Sequence, residues 1–227
     1  MIYGFILCLG DSITNGARDE YNRAYPFELS DMLSNKFEQQ WICINKGVNN
    51  WTSADLLRNA YDLTKRYPEA VEVVVCIGTN DSKPSVQTPP LIFQKNMRGI
   101  LRALNVLGRI VYLCSVPDFG RFGSTGYDMQ SLTLIKEYNA ILANLASGTG
   151  NFVDLSNFPK DCYPDSVHLN NKGSKEMARR VMDAIIRRRG FGVEDITKER
   201  LGEEHCRSGR YEAGNNKVFS GGTFPRD

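Results

Sequence analysis

Five short apolar runs alternate along the chain with longer stretches whose apolar residues recur at helical spacing. The runs lie at 2–9, 41–46, 71–77, 109–116 and 151–155, and each has the length of a strand. In the third, Val71, Val73, Val74, Val75, Cys76 and Ile77 are nearly continuous, the pattern of a strand covered on both faces. Residues 26–38 put Phe27, Leu29, Met32, Leu33 and Phe37 at mainly helical spacings, and Pro26 suits a first turn. Thr52 or Ser53 supplies the cap of a second helix bearing Ala54, Leu56, Leu57, Ala60 and Leu63. Further helices are predicted over 91–107 and 130–146. A last one spans about 171–189, with Ala178, Val181, Met182, Ile185 and Ile186 on one face. This β-α-β-α order implies an α/β fold, a parallel sheet with helices on both sides joined by right-handed crossovers. Ligands of such sheets bind beyond the carboxyl ends of the strands.

From about residue 190 the periodicity stops. The remaining stretch is polar and rich in glycine and charge, so the expected division is a domain at 1–189 and an extension at 190–227 that wraps it or stays mobile. A chain of 227 residues has enough length to bury a sizeable core. Its net charge of +2 gives no bulk electrostatic reason to expect nucleic acid or an anionic membrane as partner. No apolar run approaches the ~20 residues of a bilayer span. The first apolar run leads straight into Gly10, with no basic segment before it and no small-residue cleavage site after it, and so reads as a strand rather than a signal peptide. Cys8, Cys43, Cys76 and Cys114 fall inside predicted buried strands, Cys162 and Cys206 are isolated, and no CxxC pair occurs. Core or free thiols are expected, and with them a reducing, cytoplasmic setting.

Chemistry gathers at the predicted strand ends. The first strand breaks into Gly10-Asp11-Ser12 and the second into Asn45-Lys46-Gly47-Val48-Asn49-Asn50. The third ends at Gly78-Thr79-Asn80-Asp81, and beyond the fifth comes Asp165-Ser166-Val167-His168, ahead of the last helix. Each segment alone reads as ordinary turn or capping residues. A parallel sheet brings all four to one edge. In that order, over about residues 5–175, they resemble the blocks of the GDSL, or SGNH, hydrolase superfamily. The resemblance implies a flavodoxin-like three-layer α/β/α sandwich with a five-stranded parallel sheet, and a serine esterase that cleaves small or medium O-acyl esters. Thioester hydrolysis or acyl transfer would use the same residues, and the alternative from another class is a binding module without catalysis that docks through the arginine-rich end of the last helix or the extension. The family's Ser maps to Ser12, its Gly to Gly47, its Asn to Asn80 and its Asp-x-x-His pair to Asp165 and His168. Asn50 stands where the family often has glycine; if that position needs a positive φ, Asn is the least costly replacement. Ser166 likewise stands where glycine is common.

The chemistry wants these residue types. A serine hydroxyl needs a base within hydrogen-bonding reach, and histidine accepts and returns a proton near neutral pH. Asp165 suits the task of holding one tautomer of the His168 ring, and the Ser, Asp, His chain order matches a known convergent arrangement. The N–H groups of Ser12 and Gly47 and the side-chain amide of Asn80 would take up the oxyanion. Asp11 and Asp81 read as structural, bonding within their loops. The loop at 115–130 contains Phe119, Arg121, Phe122 and Tyr127, which either line a substrate pocket or are ordinary loop packing; Asn49 and Trp51, beside the second block, are further expected substrate contacts, Trp51 offering a face for a sugar ring or acyl chain. No cofactor is implied. The sets Asp161, Cys162, Asp165, His168 and Glu203, Glu204, His205, Cys206 lack convincing zinc spacing, so no metal is expected. Arg187, Arg188 and Arg189 complement the dipole of the last helix.

Overall fold

The computed structural model describes residues 3–19, 21, 23–119, 126–149 and 151–190. Arg121, Phe122 and nearly all of the extension at 190–227 lie outside them. The described strands are β1 (Tyr3–Gly10), β2 (Gln40–Gly47), β3 (Glu72–Cys76), β4 (Ile110–Cys114) and β5 (Phe152–Val153). Between and after them run α1 (Ser12–Asn15), α2 (Tyr25–Phe37), α3 (Ser53–Lys65), α4 (Pro90–Val106), α5 (Met129–Ala146) and α6 (Asn171–Arg188). Every ladder is parallel, as the alternating pattern predicts, and the strand order is β2-β1-β3-β4-β5. Helix α2 packs on α6 as one layer, and α3, α4 and α5 pack in sequence as the other.

Burial explains where the strands are apolar. All five β3 residues are buried at the centre of the sheet, and Ile6 to Leu9 of β1 are wholly enclosed. Strand β2 is an edge, so Cys43 is only half-buried where a core position was expected. Strand β5 is shorter than the run at 151–155 predicts. Beyond Val153, the Asp154 carboxylate accepts from the N–H and hydroxyl of Ser156, both at 2.9 Å, and this local turn ends the ladder.

Capping chemistry sets the helix starts. Thr52, not Ser53, caps α3, in a reciprocal box with Asp55, and Asp128 caps α5 in the same way with Ser131. The path from β1 to β2 leads one way along the sheet and β3 lies on the other side of β1, so the order reverses there and leaves a crevice above the β1 and β3 ends. Ser12 and Asn80 flank that crevice.

Candidate active site

Ser12 is the first residue of α1. The Asp11 carboxylate accepts from the Ile13 N–H at 3.0 Å and caps the helix; Gly16, at φ 87°, ends it after one turn. This short helix escapes sequence analysis because four residues carry no period. Ser12 is 6% exposed, and its Oγ lies 3.0 Å from Nε2 of His168. The other ring nitrogen of His168, Nδ1, is 2.7 Å from Oδ2 of Asp165. Asp165 is held in turn: its Oδ1 accepts from the backbone N–H groups of Val167 at 3.1 Å and His168 at 2.8 Å. Partial burial alone would raise the Asp165 carboxyl, but the His168 N–H, the His168 ring and the Val167 N–H hold it below the usual range. Ser166 within this turn has φ 65°, a left-handed conformation that an L side chain adopts at a cost.

The second strand end holds its backbone through a local bond. The Gly47 N–H donates to Oδ1 of Asn45 at 2.9 Å, and Gly47 does not line the cavity described below. Its lack of a side chain serves packing: a Cβ there would meet the Asn15 nitrogen at 2.2 Å and the Thr14 carbonyl carbon at 2.7 Å. Asn49 and Asn50 of this loop do line the cavity, and Asn50 has φ 65°. Its N–H has no hydrogen-bond partner among the described residues.

Asn80 opens a buried 3-10 turn, Asn80–Ser82, and its Nδ2 donates to the Trp51 carbonyl at 2.8 Å. One of its two amide hydrogens remains. Asp81 faces away from the crevice and accepts from the N–H of Ser53 at 2.8 Å and its hydroxyl at 2.5 Å, tying this turn to the start of α3. Burial raises the Asp81 carboxyl despite those two donors. Burial likewise pushes the Asp11 carboxyl up to about 6, against the pull of the Ile13 N–H.

Ser12, Asp165, His168 and Asn80 open on a common cavity of about 640 Å³, together with Asn49 and Asn50. Its described apolar lining amounts to Ala17, Val167 and Tyr127. Two cations, Arg18 and Lys83, complete a polar wall that motif reading missed, because a loop cation carries no spacing signal. Of the expected substrate contacts, Asn49 lines the cavity and accepts from Asn15 Nδ2 at 3.0 Å. Trp51 packs against the core instead. Phe119 is wholly buried and meets Tyr127 edge to face at 4.8 Å, so it backs the wall rather than forming it. Arg121 and Phe122 fall outside the described residues. Among the described residues no group of three or more His, Cys, Asp or Glu is placed to hold a metal ion, and no helix is long and apolar enough to cross a membrane.

The model of the GDSL-like lipase/acylhydrolase family matches residues 8–176. The chain belongs to this family. A GDSL-like acylhydrolase is a hydrolytic enzyme, and membership implies a small-molecule ester as substrate. No curated protein sequence matches significantly. Among solved structures, this acylhydrolase is similar to a lipase/acylhydrolase from Enterococcus faecalis, at 22% identity and a TM-score of 0.67 over 80% of this chain and 95% of that one. It is also similar to an acetyl xylan esterase, at 23% identity and a TM-score of 0.66 over 80% and 100%. A carbohydrate acetylesterase family member from Sinorhizobium meliloti aligns at 17% identity and a TM-score of 0.67 over 82% and 99%. At such identities the likeness speaks for the GDSL fold alone.

Proposed function

We propose that the protein is a serine esterase working through an acyl-enzyme, with Ser12 as nucleophile, His168 as general base and acid, and Asp165 as the group that orients the ring. The supporting observation is the unbroken chain of two short contacts, 3.0 Å from Ser12 Oγ to His168 Nε2 and 2.7 Å from His168 Nδ1 to Asp165 Oδ2, opening on a cavity. Ser12 Oγ adds to the ester carbonyl as its proton passes to Nε2. The tetrahedral intermediate collapses, and the leaving alkoxide takes that proton. Water then repeats the sequence on the acyl-enzyme and frees Ser12.

The oxyanion is taken up by three donors: the Ser12 N–H, the remaining Asn80 Nδ2 hydrogen and the Asn50 N–H. Asn50 replaces Gly47 in this reading because the Gly47 N–H is already engaged by Asn45. The largely polar described wall supports a short acyl group on a polar alcohol, in keeping with the acetylesterase named among the similar folds. Ser12→Ala is the test. The variant should melt like the parent, lose turnover of 4-nitrophenyl acetate and no longer take up a fluorophosphonate label. Undiminished turnover in the folded variant would refute the assignment.

A further inference from the structure

The cavity at Ser12 adjoins a second of about 670 Å³, and the two share Lys83 and Tyr127. Lys83 sits on a well-anchored stretch. Its N–H donates to the Asn80 carbonyl at 3.3 Å, and its own carbonyl accepts from Val86 at 2.8 Å and Gln87 at 2.9 Å. It follows directly on the buried turn Asn80–Ser82, so its Cα lies three residues from the amide proposed to receive the oxyanion. The ammonium donates to Oδ1 of Asn50 at 3.2 Å, a neutral acceptor that uses one of its three hydrogens.

The neighbouring charges are otherwise engaged. Arg18 lies 3.5 Å from Asp165, and Asp165 is bonded to His168. Asp128, which lines the second cavity with Lys83, is turned onto the N–H of Ser131 at 2.8 Å and its hydroxyl at 2.9 Å as the cap of α5. Among the described residues no carboxylate lies within salt-bridge distance of Lys83. A partly exposed lysine with no carboxylate partner among the described residues, at the junction of the Ser12 cavity and an open groove, is a ready receptor for an anion.

Resting on the esterase reading, we infer that Lys83 sets substrate choice: the site takes short-acyl esters whose alcohol part carries a carboxylate or phosphate, and the Lys83 ammonium binds that group. The acyl side faces Ser12, where the described wall has few apolar side chains. The larger alcohol part extends past Lys83 and Tyr127 into the second cavity.

The experiment compares 4-acetoxybenzoate with its neutral methyl ester, and 4-acetoxyphenyl phosphate with phenyl acetate, on the full chain and on Lys83→Met and Lys83→Glu. Ratios between variants cancel the intrinsic reactivity of each ester. A charge-assisted hydrogen bond carries roughly a tenfold effect. Lys83→Glu should therefore lower kcat/KM for the anionic ester about tenfold more than for its neutral partner, chiefly through KM, and added salt should shrink the difference. Discrimination of one or both anions supports the inference and shows which of the two groups the site accepts. Equal losses on charged and neutral esters would overturn it, leaving Lys83 as a support of the Asn50 loop. The same Lys83 substitutions in Ser12→Ala, titrated with the intact anionic ester by calorimetry, give a Kd that does not depend on turnover. Persistent hydrolysis by Ser12→Ala would count against the esterase reading alone, whereas an unchanged Kd would count against Lys83.

Discussion

Replacing Asn80 by alanine separates a chemical role from a structural one, because its amide has two hydrogens with different tasks. One donates to the Trp51 carbonyl at 2.8 Å. Losing it costs about 1 kcal/mol of stability, which shifts the melting point of a domain of this size by about 2–4 °C. Against a folding free energy of about 5–15 kcal/mol, that leaves essentially all of the protein folded at room temperature. The other hydrogen is the one assigned to the oxyanion. Removing such a donor costs about 2.7–4 kcal/mol in the transition state, or about 10²–10³ in kcat, while the uncharged ground-state ester makes little use of it and KM moves only a few-fold. The expected outcome for Asn80→Ala is thus a cooperative melt a few degrees low, with a kcat for 4-nitrophenyl acetate reduced a hundredfold or more. A folded variant whose kcat falls less than tenfold, or whose entire loss sits in KM, would refute the oxyanion role.

Two further substitutions probe the scaffold. Ser166→Gly removes a side chain from φ 65°; a strain of about 1 kcal/mol is relieved and partly offset by the greater freedom of glycine in the unfolded chain, so the urea midpoint should rise slightly, and a lowered midpoint would contradict the strain. Burial lifts the Asp11 carboxyl from 3.8 to about 6, so its protonated form stabilises the fold below about pH 4 and that contribution disappears as pH rises through 6. The rise corresponds to about 3 kcal/mol. Asp11→Asn, which keeps a capping oxygen, should therefore flatten the fall in stability between pH 4 and 7 seen in the parent by urea titration; parallel curves for the two proteins would refute the burial argument.

The layers and the parallel sheet were legible because each strand is a short apolar run and each helix a periodic one, and the sequence of chemistry-bearing strand ends followed from them. Ser12, Asp165 and His168 meet in space because motif order on a parallel sheet leaves them little choice of edge. Other features depend on contacts that no spacing encodes. Gly47 reads as an oxyanion donor through its match to the family's second block, and only the structure reveals Asn45 reaching over to its N–H. Asn50 stands at a position that tolerates a positive φ, and the structure puts it at φ 65° on the cavity wall beside Asn49. Trp51 and Phe119 illustrate a second limit, since an aromatic in a loop has the same sequence signature whether it greets a ligand or fills the interior. Lys83 was simply one of many cations until its neighbours were known.

Gly47 carries a warning for anyone who ranks positions by how badly they bear change. With the Asn15 nitrogen 2.2 Å from where a methyl would sit, almost any replacement must lever the nucleophile's turn off its neighbouring strand. A mutational scan scored on ester cleavage would mark this site as indispensable, and elbow room alone would be enough to put the mark there.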